Sequence, residues 1–182
     1  MFGIPLHPLV VHFPIVLAML LPIFVVVALW VVRKGATPRR AWAVPVAVAA
    51  ALTLSAWVAT GTGESQEDRV ERVVPRRALQ GHEESAERFL VLSGVLLVVT
   101  AGGLARGTIG RAARYVSAAG AFGLVVAAAQ VGHSGGALVY RHGAASAYTE
   151  PHAGGNREVG RTAVPTIGER QERFARDDRD ER

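Results

Sequence analysis

Cysteine is absent from this chain of 182 residues. That excludes disulfides, thiolate-bound metal, iron–sulfur clusters and a covalently attached c-type haem. Enzyme signatures are missing too: no nucleophile elbow, no G-x-x-x-x-G-K loop, no dinucleotide-binding glycine fingerprint and no H-E-x-x-H. "GTGES" at 61–65 has glycines but no lysine, and it reads as the C-terminal cap of a helix. Aromatic residues are few, at 7%. The net charge of +5 therefore has no stacking platform beside it, and nucleic acid is not an expected partner.

Hydrophobic residues make up half of the chain and come in blocks. Leu9 to Val32 is an uncharged run of 24 residues, long enough at about 1.5 Å per residue to cross a ~30 Å hydrocarbon core. It is too long for the apolar region of a cleaved signal, and no basic residue precedes it. Pro14 and Pro22 are expected to bend it. Ala41 to Thr60, Phe89 to Ala105 and Ala112 to Val131 are further apolar runs. The last holds Gly120, Gly123, Ala127 and Ala128, small enough for close helix packing. Alternation of the β-barrel kind is absent, so the lipid bilayer is the expected surrounding of an all-α protein.

The expected fold is an integral membrane antiparallel four-helix bundle, with helices near 8–32, 41–60, 85–105 and 112–140. A membrane domain over 1–145 would be followed by a polar, charged tail over 146–182, rich in both signs and expected to be disordered. The 61–84 loop carries Val70, Val73 and Val74 on one helical face. It reads as a short helix on the membrane surface or as a lid.

Charge is divided between the two ends. Four spans put 33–40 and 106–114 at one end, with Arg33, Lys34, Arg39, Arg40, Arg106, Arg111 and Arg114 and no acidic residue. Short loops rich in Lys and Arg stay in the cytoplasm, so both termini are expected outside, in a bacterial inner membrane. All six histidines belong to the other end. His7 and His12 flank the start of the first span, His82 precedes the third, and His133 and His142 close the fourth. His152 lies in the tail. Ionisable side chains at membrane depth need partners and mark functional sites.

Leu9, His12, Val16 and Met19 share a helical stripe, which would aim His12 into the bundle. His7 lies about 140° around from it on a regular helix, as a further ligand or supporting group. Val126, Gln130, His133 and Ala137 form a comparable stripe, with Gln130 placed to orient a ligand histidine. Gly135 and Gly136 would let a flat ligand approach. Haem b fits this chemistry, with two ligands drawn from His12, His82, His133 and His142. Arg76, Arg77, Arg88 or Arg141 would pair with its propionates, and Tyr140 and Trp57 would line its edge. The alternative is a Zn, Cu or Fe ion on the same histidines, with Glu64, Glu83 or Glu84. Either pattern points to electron transfer or binding rather than a stand-alone enzyme, with a quinone or a periplasmic redox protein as partner. A non-catalytic membrane complex subunit is the remaining reading, and the sequence leaves the oligomeric state open.

"HPLVVHFPIVL" at 7–17, "TG" at 60–61, "GHE" at 81–83 and "GHSGGALVYRHG" at 132–143 resemble the bacterial membrane family of domain of unknown function 2231. The resemblance covers roughly 5–145. It implies a four-helix inner-membrane protein of cytochrome b-like type. By position it points to His7, His12, His82, His133 and His142, with Gly135, Gly136 and Tyr140 around them. Di-haem cytochromes b differ, because they carry histidine pairs near both membrane faces.

Overall fold

The structure, a computed structural model, describes residues 6–149, and the expected disordered tail lies outside them from 150 onward. Among the described residues there is no strand, and four helices are long and apolar enough to cross a membrane. In chain order the helices are α1 (Leu6–Val10), α2 (His12–Arg33), α3 (Pro38–Glu64), α4 (Glu67–Val70), α5 (Arg76–Gly102), α6 (Gly107–Tyr140) and α7 (Ser146–Thr149).

Proline sets several of these limits. Pro14 has no N–H to offer the Val10 carbonyl, and its ring crowds that oxygen. The first span accordingly breaks at Val11, between α1 and α2. Pro22 lies inside α2. Pro38 is in the first turn of α3, where its fixed φ suits a helix start, so α3 begins ahead of the apolar run. Pro75 precedes α5, whose polar opening turns include His82. That histidine is therefore inside the helix rather than before it. Gly61 to Glu64 form the last turn of α3 and Ser65 is its C-cap, so "GTGES" does end the helix, through its serine rather than its glycines.

The long helices pack in the cyclic order α2, α3, α5, α6. Helix α2 consequently faces α5 across the bundle, and α3 faces α6. Residues at helical spacing fill the centre: Ala18, Leu21, Val25 and Ala28 from α2; Trp42, Ala49, Leu52 and Ala56 from α3; Phe89 and Leu96 from α5; Ala121, Leu124 and Ala128 from α6. Larger apolar side chains turn outward, among them Leu54, Trp57, Val91, Val98, Phe122 and Val126. Lipid is as apolar as leucine, so large apolar residues serve on either side, while the alanines at the centre let the helices approach. Buried hydroxyls bond back to their own helices, as Thr100 Oγ1 does to the Leu96 carbonyl at 2.6 Å and Ser117 Oγ to that of Ala113 at 2.8 Å.

The arginine-rich end is clamped from inside. Arg114 is buried, donating from Nε to the Gly103 carbonyl at 2.8 Å and from Nη2 to that of Ala105 at 3.1 Å. These are carbonyls at and beyond the end of α5, which the helix itself cannot satisfy. The guanidinium lies 6.0 Å from the centre of the Trp42 ring, and Trp42 Nε1 donates to the Thr100 carbonyl at 2.8 Å. One of the seven cations at this end is thus a structural pin.

At the opposite end, Val74, Leu79, Leu138 and Ala144 form a small second core, with Val70, Val73 and Ala78 against it. The valines of the 61–84 loop pack on the bundle's own helix ends. Tyr148 closes this cap: its hydroxyl donates to Gln66 Oε1, and Arg69 lies 5.7 Å from its ring centre.

Candidate functional site

Two histidines turn inward at this end, and they are His7 and His82. Their rings are 6.5 Å apart centre to centre and nearly perpendicular, at 82°. His7 belongs to α1, on the α2 corner, and His82 to α5, so they oppose each other across a diagonal. The backbone stays near-helical at Val11, whose N–H donates to the His7 carbonyl at 3.1 Å, so His7, about 140° around the helix from His12, turns toward α3.

Each ring is held by its Nδ1. His7 Nδ1 is 2.9 Å from the Ala59 carbonyl oxygen and 3.3 Å from Thr62 Oγ1. A carbonyl only accepts, so Nδ1 carries the proton. His82 Nδ1 is 2.9 Å from Ser134 Oγ, whose own proton goes to the Val131 carbonyl at 3.0 Å. That serine can only accept from the ring, so His82 Nδ1 also carries its proton. In its neutral form each imidazole would then leave Nε2 unprotonated, the ligand form of the side chain.

Glycines make room for the rings. A Cβ on Gly63 would come within 3.1 Å of His7 Cε1, and one on Gly135 within 3.1 Å of His82 Cε1. The two halves match: a histidine on one helix of a hairpin meets a hydroxyl followed by glycine on the other, Thr62-Gly63 or Ser134-Gly135. Thr62 Oγ1 donates one turn back to Ala59 at 2.8 Å, as Ser134 does to Val131.

Between the rings and the core is a cavity of about 60 Å³. Beside both histidines it is lined by small residues from three helices, Ala56 and Ala59, Ala86, and Ala128, with Pro14 and Phe89. About 20 residues cross a hydrocarbon core. Counted from Arg33, Trp42, Gly102 and Arg114, that length reaches the neighbourhoods of Phe13, Thr62, His82 and Ser134. The pair thus lies at the membrane boundary. On the same end, Glu83 interacts electrostatically with Glu64, Glu67, Glu71 and Glu87.

The remaining expected site residues fall elsewhere. His12 is exposed on the lipid side with Leu9, Val16 and Met19, so that stripe faces outward and not into the bundle. His133 and Gln130 are exposed with Val126, because the inward face of α6 is Ala121, Leu124, Ala128 and Leu138. Gln130 consequently orients no ligand histidine. Tyr140 is 90% exposed and Trp57 65%, and neither lines the cavity beside the two histidines. His142 follows the end of α6, half-buried, and Gly136 has nothing within 4 Å of an added Cβ. Arg76 pairs with Glu71 at 2.8 Å and Arg88 with Glu84 at 3.0 Å, both cations largely exposed. Arg77 and Arg141 are exposed. Among the described residues no group of three or more His, Asp or Glu side chains is placed to hold a metal together.

Thr62, Gly63 and Ser134 were not among the residues the sequence singled out. Their signal was the recurrence of a hydroxyl followed by glycine near the histidine end of the second and fourth spans.

No curated protein and no solved structure matches the chain. One family model does, over residues 3–147, and it takes in all four spans and both inward histidines. The chain accordingly belongs to the family described as predicted membrane protein (DUF2231).

Proposed function

We propose that the protein is a membrane metal-binding protein whose site is the pair His7 and His82, binding one metal centre from opposite sides. The observation that carries this reading is the ring separation. Two imidazoles bound in trans, with metal–nitrogen bonds of about 2.0 Å, place their centres about 6 Å apart, whereas a tetrahedral pair gives about 5 Å. The 6.5 Å between the rings is nearer the first. Both Nδ1–H groups are already engaged, which fixes the tautomer a metal requires. The histidine end would face outward, with the arginine loops in the cytoplasm of a bacterial cell.

Haem b with an electron-transfer role is the second reading, favoured by the same trans spacing. Its donor set fits: axial imidazoles on opposing helices are a familiar haem arrangement. When bound, the haem would supply one-electron chemistry, with a quinone or periplasmic protein as partner. The space does not fit. Pockets for ligands of drug size run to about 300–1,000 Å³, against about 60 Å³ here. A porphyrin would need the diagonal helices to part, whereas a bare ion needs no such movement.

Purification in detergent, with elemental analysis and a reduced-minus-oxidised absorption spectrum, tests both. The expected result is metal that is lost in His7→Ala and His82→Ala and retained in His12→Ala and His133→Ala. Soret and alpha bands with the same residue dependence would select the haem reading. A wild-type metal and haem content no higher than that of the double variant would overturn both.

A further inference from the structure

Granted the site proposed above, the donors define what it would bind. We infer that the ion is copper(I), held by the Nε2 atoms of His7 and His82 in near-linear two-coordination.

Three observations lead there. The first is the number of donors. Only two imidazoles meet, and no third His, Asp or Glu joins them among the described residues. Zinc sites are almost always four-coordinate, and magnesium and calcium take six or more oxygens. Copper(I), a d¹⁰ monovalent ion, is satisfied by two nitrogens in line, and imidazole is a good copper ligand.

Charge is the second. Both ligands are neutral, and what surrounds the cavity is apolar: Pro14, Ala56, Ala59, Ala86, Phe89 and Ala128. The Born cost of placing an ion in such surroundings rises with the square of its charge. A divalent ion with no anionic ligand would pay four times the penalty of a monovalent one. Binding needs no proton release, because each Nδ1 keeps its hydrogen and each Nε2 is bare.

Size and approach are the third. The cavity of about 60 Å³ accepts an ion, while a water alone claims about 30 Å³ of liquid. Glu83, with Glu64, Glu67, Glu71 and Glu87 near it, puts carboxylates on a cation's approach without supplying a ligand, interspersed with Arg69, Arg72, Arg77 and an Arg76 already paired to Glu71.

The test is an anaerobic titration of the full-length protein in detergent against a chromogenic copper(I) chelator, followed by X-ray absorption at the copper edge. One copper(I) per chain, with two nitrogen donors in line, is expected. His7→Ala and His82→Ala should each abolish stoichiometric binding in the competition, since one imidazole is left to hold the ion, with circular dichroism and gel filtration unchanged. His12→Ala and His133→Ala should bind as the parent does. Zinc(II) or haem bound through His7 and His82 without copper(I) would overturn the copper assignment and leave the paired-histidine site standing. So would copper with three or more donors that include these two. Copper retained by both single variants, or no metal and no haem at all, would overturn site and ion together.

Discussion

The imidazole of His82 stands 6.5 Å from that of His7, at 82° to it, with each ring anchored through Nδ1 to a different helix. The anchors are not equal. His7 reaches the Ala59 carbonyl at 2.9 Å as well as Thr62, whereas His82 uses the Ser134 hydroxyl at 2.9 Å. Ser134→Ala should therefore weaken metal binding by about tenfold, in the range seen when a ligand's supporting partner is removed. Thr62→Val should cost less, because the carbonyl remains. Ser134→Thr should restore binding. Equal losses in the two variants, measured by chelator competition, would contradict this asymmetry.

Glycines at this end divide into two kinds. An alanine at Gly63 or Gly135 would press its methyl against a histidine ring at 3.1 Å, while Gly132 and Gly136 have open space. Gly135→Ala should displace His82 and reduce binding, at about 1–3 kcal/mol of overpacking. Gly132→Ala should leave binding intact and favour the helix by up to about 1 kcal/mol. Thermal unfolding in detergent alongside the metal titration separates these outcomes.

The arginine-rich end predicts a purely structural phenotype. Arg114→Met would leave the Gly103 and Ala105 carbonyls without their side-chain donor, at a cost of about 2–4 kcal/mol. Trp42→Phe would lose the bond to the Thr100 carbonyl, at about 1–2 kcal/mol. Both should lower the unfolding temperature while leaving the remaining folded protein with the parent's metal content.

Tyr148 gives the cap a pH dependence. Burial pushes its phenol above the ordinary value of 10, with the Arg69 charge pulling weakly the other way. The folded state thus favours the neutral phenol. Its contribution is whole below about pH 10 and is lost as pH climbs from the unfolded-state value through the raised folded one. Protease sensitivity around Gln66–Arg69 should rise across that window. Tyr148→Phe should show no such step, although it lacks the bond to Gln66 throughout.

Orientation can be read with the chain's own lack of thiols. Thr37→Cys and Arg72→Cys place single cysteines at opposite ends of the bundle, both at exposed positions. A membrane-impermeant thiol reagent added to intact cells should label position 72 and not 37. The reverse pattern would put the histidine end in the cytoplasm.

Four spans were legible because uncharged runs of that length have few other uses. The gathering of histidines at one end was legible from the odd or even number of spans between them. Their facing was not. Leu9, Val16 and Met19 suggested an inward stripe for His12, yet in lipid an apolar stripe can face outward, and here the inward stripe of α2 is Ala18, Leu21, Val25 and Ala28. With His12 outward, the angle of about 140° between the two on a near-helical backbone turns His7 inward. Ser134 was hidden between the more conspicuous His133 and Gly135, although it touches the inward histidine and His133 does not.

Each helical hairpin contains a complete half of the site. His7 is docked by Ala59 and Thr62 of its own hairpin, and His82 by Ser134 of the other. Membrane helices insert first and associate afterwards, so each ring can acquire its tautomer and orientation before the hairpins meet. What association adds is only the juxtaposition of two finished ligands. An ion bridging them would then act as a clasp between independently inserted halves, drawing together the corners of α2 and α5, which face each other across a diagonal rather than as packed neighbours.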